Sequence, residues 1–118
     1  MSQPLLNTVL GAASFGSWGD IPTIQDPADV QKFLDFFKQN GFNQLDTARI
    51  YGTSEAILGS LDVEKQEIIV DTKVESFSPG AHSPDNLRAS VKKSLEDLKV
   101  KKVHILYLHS PGMTIFLP

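Results

Sequence analysis

With 118 residues, 41% of them hydrophobic and 21% charged, the chain has the makeup of an ordinary single globular domain with a modest core, and not of a disordered or fibrous protein. Its 11 Lys and Arg against 14 Asp and Glu leave a formal net charge of -3, without the basic footprint that phosphate backbones attract, so no nucleic-acid partner is expected. The absence of Cys excludes disulfides, thiolate nucleophiles and Cys-ligated zinc, no secretory-type segment is read at the start, and the longest apolar runs, such as residues 105–108, fall far short of the ~20 residues of a membrane span, so a soluble cytoplasmic protein is expected.

In chain order, residues 8–13 form a mostly apolar run that predicts a strand, and Gly16, Gly19 and Pro22 mark the loop that follows. Asp26 ahead of Pro27 predicts a helix cap with proline at the first helical position; Val30, Phe33, Leu34 and Phe37 then recur at helical spacing, and Gly41 supplies a stop. Residues 42–46 are short and extended in character, and Thr53, Ser54 and Glu55 read as the cap of a brief helix running towards Gly59. In residues 67–73 the β-branched run Ile68, Ile69 and Val70 lacks alternation, as in a strand covered on both faces. Ser83 and Pro84 cap a longer helix with an apolar stripe of Leu87, Val91, Leu95 and Leu98, and Lys99, Lys101 and Lys102 form a basic end that suits the helix dipole. Residues 103–109 are again a nearly continuous apolar strand.

The order is strand then helix, three times, then a fourth strand, with no hairpin signal. That alternation predicts an α/β fold of parallel strands joined by right-handed crossovers, either an open doubly wound sheet or a barrel; periodicity does not separate the two. Nothing resembles a linker or a second domain. Residues 1–118 read as one domain, and the tail from Pro111 to Pro118 is too short for another unit.

Reactive side chains fall at the C-terminal ends of successive strands: Asp46 ending the second, Lys73 ending the third and His109 ending the fourth, with Tyr51 in the loop beyond Asp46. Parallel neighbours lie ~4.8 Å apart, so groups at equal height on adjacent strands can touch, and that rim is where barrel active sites form. The set holds an acid, a base, a cation and a phenol. A phenol is a poor acid near neutrality unless an adjacent ammonium stabilises its phenolate, which Lys73 can do. Asp46 would keep Lys73 protonated and in place, and the His109 imidazole could hydrogen-bond a substrate oxygen. Each residue alone has a plainer reading: Lys73 as a solubilising charge, Asp46 as the start of a turn, Tyr51 as a packing ring with a wet hydroxyl, His109 as a satisfied histidine at a strand exit. What they share is one rim. Glu55 reads as a cap residue, His82 lies in a loop, and His104 is expected to begin a strand facing the helices.

Four stretches resemble the aldo-keto reductase superfamily, and more closely its aflatoxin-aldehyde and succinic-semialdehyde reductase branch: residues 10–16, residues 45–52 with Asp46, Thr47, Ala48 and Tyr51, residues 71–73 with Thr72 and Lys73, and residues 106–111 with Leu108 and His109. The resemblance implies a (β/α)8 TIM barrel that uses NADPH to reduce aldehydes and ketones. Tyr51 would be the general acid, tuned by Lys73 and Asp46, with His109 orienting the carbonyl. It places the nicotinamide near Gly16, Ser17 and Asp46, and the carbonyl substrate near Trp18, Tyr51 and His109; no metal is called for. A full barrel needs eight strands and typically ~250 residues. The chain therefore reads as the four N-terminal β/α units of such a barrel, a truncated form expected to be inactive alone and to self-associate through its open sheet edges. Two other readings stand beside this one: a non-catalytic assembly or regulatory module of the channel β-subunit type, and a Schiff-base aldolase with Lys73 as nucleophile.

Overall fold

The structure is a computed structural model and describes residues 6–112. It contains β1 (Val9–Gly11), α1 (Pro27–Gln39), β2 (Gln44–Asp46), α2 (Ser54–Ser60), β3 (Ile69–Val74), α3 (Pro84–Leu98) and β4 (Leu106–Leu108). All four strands pair in parallel in the order β1-β2-β3-β4, so each helix is a crossover between sequence neighbours. No helix among the described residues is long and apolar enough to cross a membrane.

The pairing register separates two faces. Leu10, Leu45 and Val70 lie in one row, and with Ala12 and Phe15 they pack against Val30 and Leu34 of α1, Leu58 of α2, and Leu98 of α3. Val74 is buried on this same helix-covered side, and Thr72 bonds α2 from it. Strand alternation sends Gln44, Asp46, Asp71 and Lys73 to the other face, which is largely polar. The apolar face accounts for the burial of the helices, and the polar face is where reactive groups gather.

Local chemistry explains the helix ends. Asp26 accepts from the Ala28 N–H at 2.8 Å with Pro27 at the first position of α1, and Ser83 accepts from the Asn86 N–H at 3.3 Å with Pro84 opening α3. Within α1 the expected stripe is narrower than four residues: Val30 and Leu34 are buried, while Phe33 stays 48% exposed beside Phe15 and Phe37 stacks on Phe42.

Helix α3 departs further from expectation. Its covered side is Ser94 and Leu98, together with Ser90, which accepts from the Glu75 N–H; Leu87, Val91 and Leu95 lie together on a partly open side. Small residues face inward because α2 comes against the α3 backbone itself: a Cβ on Gly59 would sit 2.0 Å from the Asp97 carbonyl oxygen. The helix also stops at Leu98, with Lys99 left-handed at φ 54°, so the lysines follow the helix and its last turn has no basic residue. Residues 103–105 run up to β4 without belonging to it.

Gly59→Ala tests the close α2–α3 approach. In an open helix this change stabilises by up to ~1 kcal/mol; here it should cost about 1–3 kcal/mol through overpacking, read as a lower denaturation midpoint. Gly11→Ala, with nothing within 4 Å of the new methyl, is the control expected to cost less.

Candidate functional site

The site begins where β2 ends. Past Asp46 the chain stays tied to β3, because the Thr47 N–H donates to the Asp71 carbonyl at 2.9 Å and the Arg49 N–H to the Lys73 carbonyl at 3.0 Å. Two buried hydroxyls hold the turn from beneath: Thr47 Oγ1 lies 2.9 Å from Ser54 Oγ, which donates to the Ala12 carbonyl at 2.8 Å. A turn closed by the Tyr51 N–H on the Ala48 carbonyl then brings Tyr51 back over the strand ends.

Lys73 lies at the centre. Its Nζ donates to Asp46 Oδ2 at 2.5 Å and to the Thr47 carbonyl at 3.0 Å, and its side chain is only 17% exposed. The same ammonium stands 5.3 Å from the Tyr51 ring centroid and 5.9 Å from that of Tyr107, its register partner on β4. The His109 ring meets Tyr51 edge-on at 5.6 Å and Phe77 at 5.2 Å. Asp46, Tyr51, Lys73 and His109 thus converge at the C-terminal ends of β2, β3 and β4.

The other expected contacts come from the loop after β1. Ser17 and Thr53 bond each other twice, Ser17 N–H to Thr53 Oγ1 at 2.7 Å and Thr53 N–H to the Ser17 carbonyl at 3.1 Å. Trp18 packs on the Tyr51 ring with centroids 5.2 Å apart. Gly16, at φ +83°, is buried against Thr53, and a Cβ on Gly52 would sit 1.7 Å from the Ser17 carbonyl. Both glycines let the two loops lie together. Thr53 makes no cap bond to α2, since its hydroxyl is used on Ser17.

Sequence reasoning missed a second cluster on the helix side of the sheet. Glu55 is 2% exposed and is no cap: it accepts from Thr72 Oγ1 at 2.6 Å and pairs with Arg49, which also reaches Asp97 at 2.8 Å. Burial alone would raise the Asp97 carboxyl, but hydrogen bonds from Lys93 and Arg49 outweigh it and hold the group below its ordinary range. A Thr-Ser-Glu run looks like a cap, and only the neighbouring Arg49 hinted at a buried partner. His104 also differs from expectation. Its Nδ1 lies 2.9 Å from Oδ1 of the buried Asp71, on the polar face and away from the helices, and Gln44 donates to the other Asp71 oxygen at 2.7 Å.

Burial pushes the His109 imidazole below the usual histidine range, the nearby Lys73 ammonium adds to this, and the Asp46 carboxylate opposes it. His109 Nδ1 is buried with no hydrogen-bond partner among the described residues.

Comparison with known proteins matches the model of the aldo/keto reductase family to residues 8–115. Oxidoreductase sirO of Leptosphaeria maculans is 36% identical over 115 residues, 92% of this chain and 35% of that protein. Human aldo-keto reductase family 7 member A3 is 36% identical over 110 residues, 88% of this chain and 31% of its own length. A solved structure from Pseudomonas aeruginosa assigned to the aldo-keto reductases superposes with a TM-score of 0.73 at 30% identity, covering 88% of this chain and 41% of that one. The chain spans about a third of the length of the curated relatives it matches.

The electrostatic order around Lys73 predicts how His109 titrates. Its midpoint should lie below the ~6.5 of a free imidazole, rising in Lys73→Met, which removes a repelling cation, and falling further in Asp46→Asn. Because the folded value is depressed, this group's penalty on folding sets in as pH falls below ~6.5 and is complete below the folded midpoint. Histidine ring shifts followed by NMR check the sequence of midpoints.

Proposed function

The chain belongs to the aldo/keto reductase family, whose solved members are (β/α)8 barrels, and on that premise we propose that its polar rim is the catalytic centre of an NADPH-dependent oxidoreductase that reduces aldehydes and ketones to alcohols. The observation that carries this reading is the Lys73 ammonium, held by Asp46 and facing the Tyr51 ring with His109 across it.

Reducing a carbonyl needs a hydride on carbon and a proton on oxygen. The nicotinamide, when bound, supplies the hydride. Tyr51 supplies the proton, and the ammonium beside it stabilises the phenolate left behind. Asp46 pairs with Lys73 and fixes its place. The imidazole of His109 is neutral near pH 7, and a proton on its buried Nδ1 would be an orphan donor, so the proton sits on Nε2, free to hydrogen-bond the carbonyl oxygen. Trp18 and Phe77 flank the two rings and form an apolar wall for the substrate.

These residues suit the nicotinamide end of the cofactor, with Ser17, Trp18 and Asp46 at the open side of the rim. The phosphate end is less well served. Lys73 and Arg49, the cations beside the rim, are both engaged by carboxylates, and barrels commonly hold phosphates in loops after their seventh and eighth strands. On this reading the 118 residues hold the reacting groups and neither bind NADPH tightly nor turn over alone. The exposed strand β4, with Leu106, Tyr107 and Leu108 each more than 40% exposed, favours self-association instead. A Schiff-base role for Lys73 fits poorly, because its Nζ is tied to Asp46 at 2.5 Å and to the Thr47 carbonyl at 3.0 Å and is not free to attack a carbonyl carbon.

Two measurements check the proposal. Titrating the chain with NADPH should show no micromolar binding, and aldehyde reduction should appear on mixing with a separately expressed C-terminal half of a relative. In that reconstituted protein Tyr51→Phe should lower turnover at least ~100-fold while cofactor binding changes little. Equal turnover in the variant rules out Tyr51 as the acid.

A further inference from the structure

The catalytic reading leaves one buried polar group unused. Ser76, just beyond β3, is completely buried, and its hydroxyl stands between two segments: it accepts from the His109 N–H at 3.0 Å and lies 2.7 Å from His82 Nε2. Its other neighbour is the Val74 carbonyl, at a long 3.4 Å. The segment after β4 comes close to the His82 ring, since a side chain at Gly112, φ +97°, would come within 3.0 Å of its Nδ1. Ser110 adds a further tie by donating to the Ser76 carbonyl at 3.4 Å.

A serine hydroxyl has one proton and two lone pairs. One lone pair takes the His109 N–H. With a neutral His82 the proton goes to Nε2, and a continuous chain forms, His109 N–H to Ser76 O–H to His82, in which each bond polarises the next. Protonating His82 reverses the last link: Nε2–H becomes a donor, the Ser76 proton is left only with Val74 at 3.4 Å, and the oxygen must accept twice. The bond to His109 then weakens.

We propose that His82 is a positioning residue for His109, acting through Ser76 to hold the backbone that carries the imidazole over Tyr51. Its importance for reduction rests on the role given to His109 above; the relay itself does not. The charged group of its own loop acting on His82 is Glu75. Among the described residues, the segment from β4 onward brings the His109 imidazole as its titratable group, and Asp85 at the start of α3 is exposed and paired with Arg88.

The test is an NMR titration of the whole chain labelled with 15N and 13C at histidine, whose three histidines give three ring signals. The His109 amide proton should move upfield along the curve traced by the His82 ring, in addition to the curve of its own ring. That component should vanish in His82→Gln and in Ser76→Ala. Amide exchange at His109 should quicken roughly tenfold in His82→Leu, the loss of about one net hydrogen bond, and stay slow in His82→Gln, whose carbonyl still accepts from Ser76. An amide that follows only its own ring, or exchange unchanged in His82→Leu, overturns the relay. Should Ser76→Ala fail to fold, the wild-type titration and His82→Leu decide the matter. No carbonyl turnover is read, so failure of the relay and failure of the reductase reading are separate results.

Discussion

An ammonium taken most of the way out of water must be met by a carboxylate and by carbonyl oxygens, or it discharges. Lys73 is met by Asp46 and by the Thr47 carbonyl, and much of the polar face follows from that need. The pair requires β2 and β3 side by side in their observed register, with Asp46 opposite Asp71 and Lys73 two residues further on, on the same face. It requires the chain after Asp46 to turn so that the Thr47 carbonyl points back at the lysine. That turn is what delivers Tyr51 to the same ammonium.

The opposite face of the sheet secures the arrangement. Thr72 points away from Lys73 and bonds Glu55, and Arg49 joins Glu55 to Asp97, so β3, α2 and α3 are locked around the segment that carries Tyr51. Breaking such a buried pair by removing one partner leaves an uncompensated charge, whereas the exposed pairs along α1 and α3 contribute little. The loop after β1 closes the remaining side through the two Ser17–Thr53 bonds, which hold Trp18 on the Tyr51 ring. Tyr51 is thereby fixed from three directions, the preorganisation that the proposed proton transfer needs.

The α/β order, the caps at Asp26 and Ser83, and the strand-end positions of Asp46, Lys73 and His109 were legible because each depends on local chemistry or on counting from a strand. The four rim residues were found on that basis, and the structure brings them together. What was not legible depends on pairs distant in sequence. Glu55 passed for a cap because its partner Thr72 lies 17 residues away, and Asp97, which shares Arg49 with it, lies 42 residues away. The apolar stripe of α3 pointed to Leu87, Val91 and Leu95, yet the close approach at Gly59 selects Ser94 for the covered side. His104 was assigned to the wrong face because its partner Asp71 sits 33 residues earlier, on β3. Ser76 gave no signal at all, a serine among loop serines whose place under His109 only the fold creates.

The central claim is that the Lys73 charge makes this rim a proton-donating site. It is tested most directly by joining these residues to the remaining strands of a family member and comparing NADPH-linked aldehyde reduction by Lys73 and Lys73→Met proteins under saturating cofactor. The account predicts that kcat falls at least ~100-fold in the variant while NADPH still binds. Turnover equal to that of the unsubstituted protein would contradict it.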